Sequence, residues 1–262
     1  MDLELRGKRV LVTGASKGIG LACARGFAAE GAIVHIAARN ADALKAAAEA
    51  MARDYKAEVT THAVDLGAPG NAAALGRECD VDILVNNAGA IPHGGLTELD
   101  EAKWRQAWDL KVFGFFNLTR EVYKRMKARG SGVVVNVIGV AGERHRSDYI
   151  AGTTGNAALM AFTRGLGAEA ADHGVRVLGV NPGRVETERQ VGHMKDRALK
   201  ELGDASRWEE IRAKVDATLP FKRACQPEEV ADLVNYLASA RASYLNATII
   251  TIDGGQSLRP RA

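Results

Sequence analysis

Val10-Leu11-Val12-Thr13-Gly14-Ala15-Ser16-Lys17-Gly18-Ile19-Gly20 is the stretch from which the rest of the chain is read. An apolar β-rich run stops at Thr13-Gly14, three glycines fall within seven residues, and Leu21 to Glu30 continues as an Ala-rich helix. Strand, glycine turn and helix in that order form a cradle for phosphate. Glycines let the backbone approach a pyrophosphate, and the new helix turns its unpaired N–H groups and positive dipole end toward the anion. Gly14, Ser16, Lys17, Gly18, Ile19 and Gly20 are the candidate contacts. Read alone, the spacing G-x-x-x-G-x-G also fits a tight turn that caps a buried strand.

Outward from this turn, short β-rich runs alternate with helical patterns. The strand candidates are 33–37, 58–64, 83–86, 133–137, 175–180 and 248–252; helical patterns lie at 42–53, 72–79, 103–129, 155–172 and 228–240. Such alternation predicts an α/β fold, a doubly wound parallel sheet covered by helices on both faces, as one domain over residues 1–262. The strands lack an alternating polar face, which suits double-sided burial. Residues 186–214 are charged, poor in β-formers and follow a strand end, where ligands of open α/β sheets sit. They are expected to form a mobile substrate lid, or an exposed helical excursion without a gating role.

Composition narrows the function. Hydrophobic residues make up 47% of the 262, enough for a substantial core, and 35 basic against 32 acidic side chains leave a formal charge of +3. That is too small to argue for a nucleic-acid partner. Cys23, Cys79 and Cys225 are odd in number, far apart and without metal-ligand spacing, so free thiols in a reducing compartment and no metal are expected. Met1 to Arg6 does not read as a secretory signal, and no apolar run approaches the ~20 residues of a membrane helix. The expected location is the cytoplasm, away from membranes.

With Asn86-Asn87-Ala88-Gly89, Tyr149 and Asn181-Pro182-Gly183 at successive strand ends, the chain resembles the short-chain dehydrogenase/reductase family over nearly its full length. The resemblance implies a Rossmann fold, a nicotinamide cofactor and a small-molecule substrate. Arg39 ends the second strand where an acidic residue would bind the ribose hydroxyls of NAD and an arginine suits a 2′-phosphate. In the family a basic residue there or in the glycine turn goes with NADP, and this chain has both Arg39 and Lys17. The expected cofactor is therefore NADP(H). Asp65 and Leu66 resemble the adenine contact, although an aspartate at a strand end is also a common turn-former. Asn87, Ala88 and Gly89 would lie beside the nicotinamide-side ribose, unless the asparagines serve only their own turn. Pro182, Gly183 and Thr187 resemble the stretch that holds the carboxamide and pyrophosphate.

The catalytic pattern of the family is broken. There a tyrosine supplies the proton, a lysine four residues on lowers its pKa, a serine binds the substrate oxygen, and an asparagine on an earlier helix supports a water relay. Tyr149 matches the tyrosine, but Thr153 stands four residues on, Gly139 aligns with the serine and Lys111 with the asparagine. Bringing a tyrosine from about 10 toward neutrality takes roughly 3 pKa units, about 4 kcal/mol. One cation at about 4 Å in an effective dielectric of about 20 supplies that much. Lys111 falls in the apolar stripe Trp104, Trp108, Lys111, Phe115, Leu118. Either its stem packs and its amine snorkels to water, or its amine enters the cleft and replaces the missing lysine.

Two functional readings follow. One is an NADP(H)-dependent oxidoreductase interconverting a carbonyl and an alcohol, with Tyr149 and Lys111 as its catalytic residues. The other is a catalytically impaired NADP(H)-binding protein, a sensor or partner subunit. The resemblance also implies a homodimer or homotetramer paired through 103–129 and 155–172, where Gly155, Ala157, Ala158 and Ala161 would allow close helix approach. Substrate choice falls to 91–96, 139–148 and the lid.

Overall fold

The opening run forms a strand, Arg9–Thr13 (β1), buried over its last four residues, and the glycine turn leads into helix Gly18–Ala29 (α1). The computed structural model describes residues 2–259. Six more strands follow: Ile33–Ala38 (β2), Val59–Ala63 (β3), Ile83–Asn86 (β4), Gly132–Val137 (β5), Val175–Pro182 (β6) and Ile249–Ile252 (β7). They pair in parallel in the order β3-β2-β1-β4-β5-β6-β7. The order reverses between β1 and β4. In a doubly wound sheet that reversal opens a crevice at the carboxyl ends of the two strands.

Helices cover both faces. Phe27 of α1, Leu44 and Met51 of Ala41–Tyr55 (α2), and Val230 and Val234 of Pro227–Ala238 (α9) pack on one side with Val10, Val12 and Ile36. On the other, Leu75 of Asn71–Glu78 (α3) and Leu118, Val122 and Met126 of Gly114–Arg129 (α5) pack on Leu11, Leu84 and Val134. Neighbours along each strand thus serve opposite layers, and the strands read as apolar runs without polar alternation.

Two helices differ from the sequence expectation. The pattern over 103–129 resolves into Glu101–Trp108 (α4), a π-helical turn at Asp109–Phe113 that contains Lys111, and α5. Ile150–Ala170 (α6) begins five residues before the expected start. Its early glycines are covered within the chain, Gly152 by the Tyr149 ring and Gly155 by Val112 and Trp108. Two further helices, Glu188–Leu202 (α7) and Trp208–Asp216 (α8), make up most of the charged stretch after β6, tucking Met194, Ala198 and Ile211 beneath them.

Polar groups also pin the centre of the sheet. Asn86 Nδ2 donates to Thr119 Oγ1 and to Asn136 Oδ1, both at 2.9 Å. Asn136 Nδ2 in turn donates to Thr163 Oγ1 at 2.9 Å, and that hydroxyl donates to Leu159 O at 2.7 Å. This buried chain joins β4, β5, α5 and α6, and partial disruption of such a network is costly because its members lie out of reach of water. Among the described residues no helix is long and apolar enough to cross a membrane.

Candidate active site

A cleft of about 520 Å³ opens at the carboxyl ends of the central strands and runs from the glycine turn to Tyr149. Gly14, Ser16, Lys17, Gly18 and Ile19 line one end of it. Gly14 sits at φ +66°, and a Cβ there would lie 2.9 Å from Ala88 Cα. Gly20 faces away from the cleft. A Cβ on it would come within 2.4 Å of Gly14 O and 2.5 Å of Asn87 Nδ2, so its role is to let α1 close on β1. Asn87 fastens the turn from the other side, its Nδ2 donating to Thr13 O at 3.0 Å. Thr13 Oγ1 accepts from the backbone N–H groups of Asn87 and Ala88 at 2.9 and 3.1 Å.

The remaining cofactor candidates divide. Arg39, Leu66, Asn87, Ala88, Gly89, Pro182, Gly183 and Thr187 all line the cleft. Asp65 does not; its Oδ1 accepts from Gly67 N at 3.0 Å, the turn-forming alternative. Thr187 caps α7, its hydroxyl accepting from Gln190 N at 3.4 Å. Lys17 Nζ lies 3.4 Å from Glu188 Oε2 in the first turn of α7. Both groups are well exposed, and such a pair is weak enough for a phosphate to displace the carboxylate.

Tyr149 and Lys111 line the same cleft. Tyr149 precedes α6, and its ring lies across Gly152, where a Cβ would fall 1.9 Å from Tyr149 Cε1. The ring therefore fills the space that a side chain at 152 would enter. Burial holds the phenol above its usual pKa, against the pull of Arg189 and Arg146. Lys111 does not snorkel: it is 8% exposed. Its Nζ donates to Val137 O at 2.8 Å and lies 4.9 Å from the centre of the Phe115 ring. Burial, helped by Arg189, lowers its pKa to about 7.

The other altered positions are occupied differently from the sequence alignment. Thr153 turns away from the cleft, its hydroxyl accepting from Arg146 N at 3.2 Å and donating to Arg146 O at 3.3 Å. The α6 residue that faces the cleft one turn after Gly152 is Asn156. Its Nδ2 donates to Gly139 O at 3.3 Å. Gly139 has φ +123°, a conformation in which a serine would be strained. Ser147 and His145 are exposed and lie outside the cleft lining. Arg144 is engaged with Gln256 O at 3.0 Å, and Arg146 forms an ion pair with Asp148.

Three side chains in or beside the cleft were not singled out by the sequence, although they fall in the stretches expected to shape the substrate pocket. Arg189 reaches from α7 across the cleft to donate to Gly89 O. His93 stacks near Tyr149 with ring centres 4.8 Å apart, and meets His193 of α7 edge-on at 5.4 Å. Each lies in the loop after β4 or in α7, where neighbours in space are far apart in sequence. Counting four residues from Tyr149 gave Thr153, because nothing in the sequence shows that the ring reaches over Gly152.

The family profile described as short chain dehydrogenase matches residues 8–198. Galactitol 2-dehydrogenase (L-tagatose-forming) of Cereibacter sphaeroides is 36% identical over 261 residues, covering 97% of this chain and 97% of that protein. The 2,3-dihydro-2,3-dihydroxybenzoate dehydrogenase of Bacillus subtilis (strain 168) is 32% identical over 267 residues, again 97% of each. Among solved structures, L-sorbose reductase from Gluconobacter frateurii, complexed with NADPH and L-sorbose, superposes with a TM-score of 0.92 at 32% identity. That match covers 99% of this chain and 100% of the other.

Proposed function

The chain belongs to the short-chain dehydrogenase family of oxidoreductases, and from that premise we propose that it is an NADP(H)-dependent reductase of a small polyhydroxylated ketone. The observation that carries this reading is the Tyr149 ring lying over Gly152, in one cleft with the glycine turn and the buried Lys111. The cleft suits the cofactor. Gly14 and Gly20 let the turn close on Ala88 and α1 close on β1, which shapes the cradle; Ser16 to Ile19 and the start of α1 would hold the pyrophosphate, and Arg39 with Lys17 would meet a 2′-phosphate. When bound, the dihydronicotinamide supplies the hydride. The NADPH complex of the sorbose reductase supports this choice, and the sugar names of two relatives support the substrate class.

Tyr149 then holds the proton destined for the carbonyl oxygen. A phenol kept above its usual pKa stays protonated at neutral pH, so it serves reduction better than the reverse reaction, which needs the phenolate. Lys111, with both protonation states populated near neutrality, returns a proton to the site through water. Asn156 and Gly139 leave no hydroxyl in the serine position. That observation favours the second reading, a binding protein that retains the cradle but not the chemistry.

The deciding experiment follows NADPH consumption over a panel of ketoses, simple ketones and aldehydes, with Tyr149→Phe and Gly152→Ala alongside. Turnover that falls by about 10²-fold or more in both variants, with NADPH affinity retained, supports the reductase. The methyl group in Gly152→Ala would collide with the Tyr149 ring, so this variant tests its placement. Protein that binds NADPH but turns over none of the panel would establish the binding protein instead.

A further inference from the structure

Away from the cleft, three side chains that sequence spacing keeps apart converge on the face of the sheet under α3. His35 of β2 and His62 of β3 are diagonal neighbours on one face, since His62 pairs with Ala37 two residues beyond His35. Cys79 closes the end of α3 above them. His35 Nδ1 and His62 Nε2 are 3.1 Å apart, Cys79 Sγ is 3.5 Å from the same Nε2, and no pair of the three atoms is separated by more than 4.8 Å. None of them lines the cleft.

We propose that His35, His62 and Cys79 form a binding site for a borderline-soft divalent cation of the zinc class. Two imidazole nitrogens and a thiolate are the donors such ions select. With metal–nitrogen bonds of about 2.0–2.1 Å and a metal–sulfur bond of about 2.3 Å, tetrahedral geometry separates two nitrogens by about 3.3 Å and nitrogen from sulfur by about 3.5 Å. The two short contacts already match those separations, and rotation of the Cys79 or His35 side chain closes the third. Glu78 Oε1 lies 3.6 Å from His62 Nδ1. At that distance the carboxylate lies beside the ring without a hydrogen bond, on the side away from the other two ligands, and a small shift would give the carboxylate–imidazole pairing that orients metal-bound histidines. Water completes the fourth position. On binding, the S–H bond of Cys79 breaks as the sulfur–metal bond forms, and the proton passes to buffer. Both histidines bind as neutral rings. The ion would add to the β2–β3 ladder a tie from the edge strand β3 and β2 to the end of helix α3.

The test uses tag-free, metal-stripped full-length protein titrated with Co²⁺ alone. The expected result is one Co²⁺ per chain, a near-ultraviolet thiolate-to-cobalt band, intense visible absorption of a four-coordinate ion, and displacement of both by Zn²⁺. Cys79→Ser and His62→Asn should lose the thiolate band, while Cys225→Ser keeps it. In wild-type protein, Zn²⁺ should slow alkylation of Cys79 mapped by mass spectrometry, a measurement that needs no variant to fold. Absence of the band, its persistence in Cys79→Ser, or unchanged alkylation of Cys79 at saturating Zn²⁺ would overturn the proposal and leave a hydrogen-bonded trio.

Discussion

Lys111 works against the fold wherever it is charged. In the unfolded chain it keeps its proton to its ordinary pKa of 10.5, whereas in the folded protein burial brings the pKa to about 7. The unfolded state therefore binds more protons between those values, and stability rises with pH across that window. Below pH 7 the deficit is complete, on the order of 4–5 kcal/mol. Lys111→Met should consequently raise the melting temperature, most at pH 6 to 7 and least toward pH 10, while lowering turnover by about 10²-fold or more. Melts across pH and NADPH oxidation rates check the two halves. A variant that is no more stable at pH 6 than at pH 10 would show that the amine is solvated. The lysine was legible as an oddity in an apolar stripe, but its hydrogen bond to Val137 O was not, because the partner lies on another element.

At the scale of elements, the cradle depends on how closely α1 sits on β1. Gly20→Ala would set a methyl 2.4 Å from Gly14 O, which is backbone and cannot swing aside. Overpacking of this kind costs about 1–3 kcal/mol, and here it also tilts the N–H groups that face the phosphates. We expect NADPH affinity to fall at least about tenfold by fluorescence titration, with a lower melting temperature. Gly165→Ala, at an exposed position of α6, meets nothing within 4 Å and should be neutral or stabilising by about 0.5–1 kcal/mol. The strands were legible because burial on both faces leaves uninterrupted apolar runs, and β4 matches its expected limits residue for residue. The start of α6 was hidden by Gly152 and Gly155, which look like helix breakers until the groups that cover them are known. Nor does any residue pattern announce the π-helical turn at Asp109–Phe113, whose extra residue is accommodated by tertiary packing.

For the whole molecule, the π-helical turn, α5 and α6 share an outward apolar ridge. Phe113 is 47% exposed, meets Phe116 edge-on at 6.2 Å, and Phe116 lies 4.6 Å from Phe162. A ridge of three phenylalanines spanning both helices suits the homo-oligomer expected for the family, and Phe113→Lys with Phe116→Asp should shift the native mass by light scattering toward the monomer. An unchanged mass would place the contact elsewhere. The central strands carry a different consequence in the Asn86, Asn136 and Thr163 chain. It locks β4, β5 and α6 into one phase, so none can slip along another by a residue without breaking the rest. The amides of these segments should exchange last and together, and the cleft they end in should disappear on unfolding as one cooperative event rather than fray strand by strand.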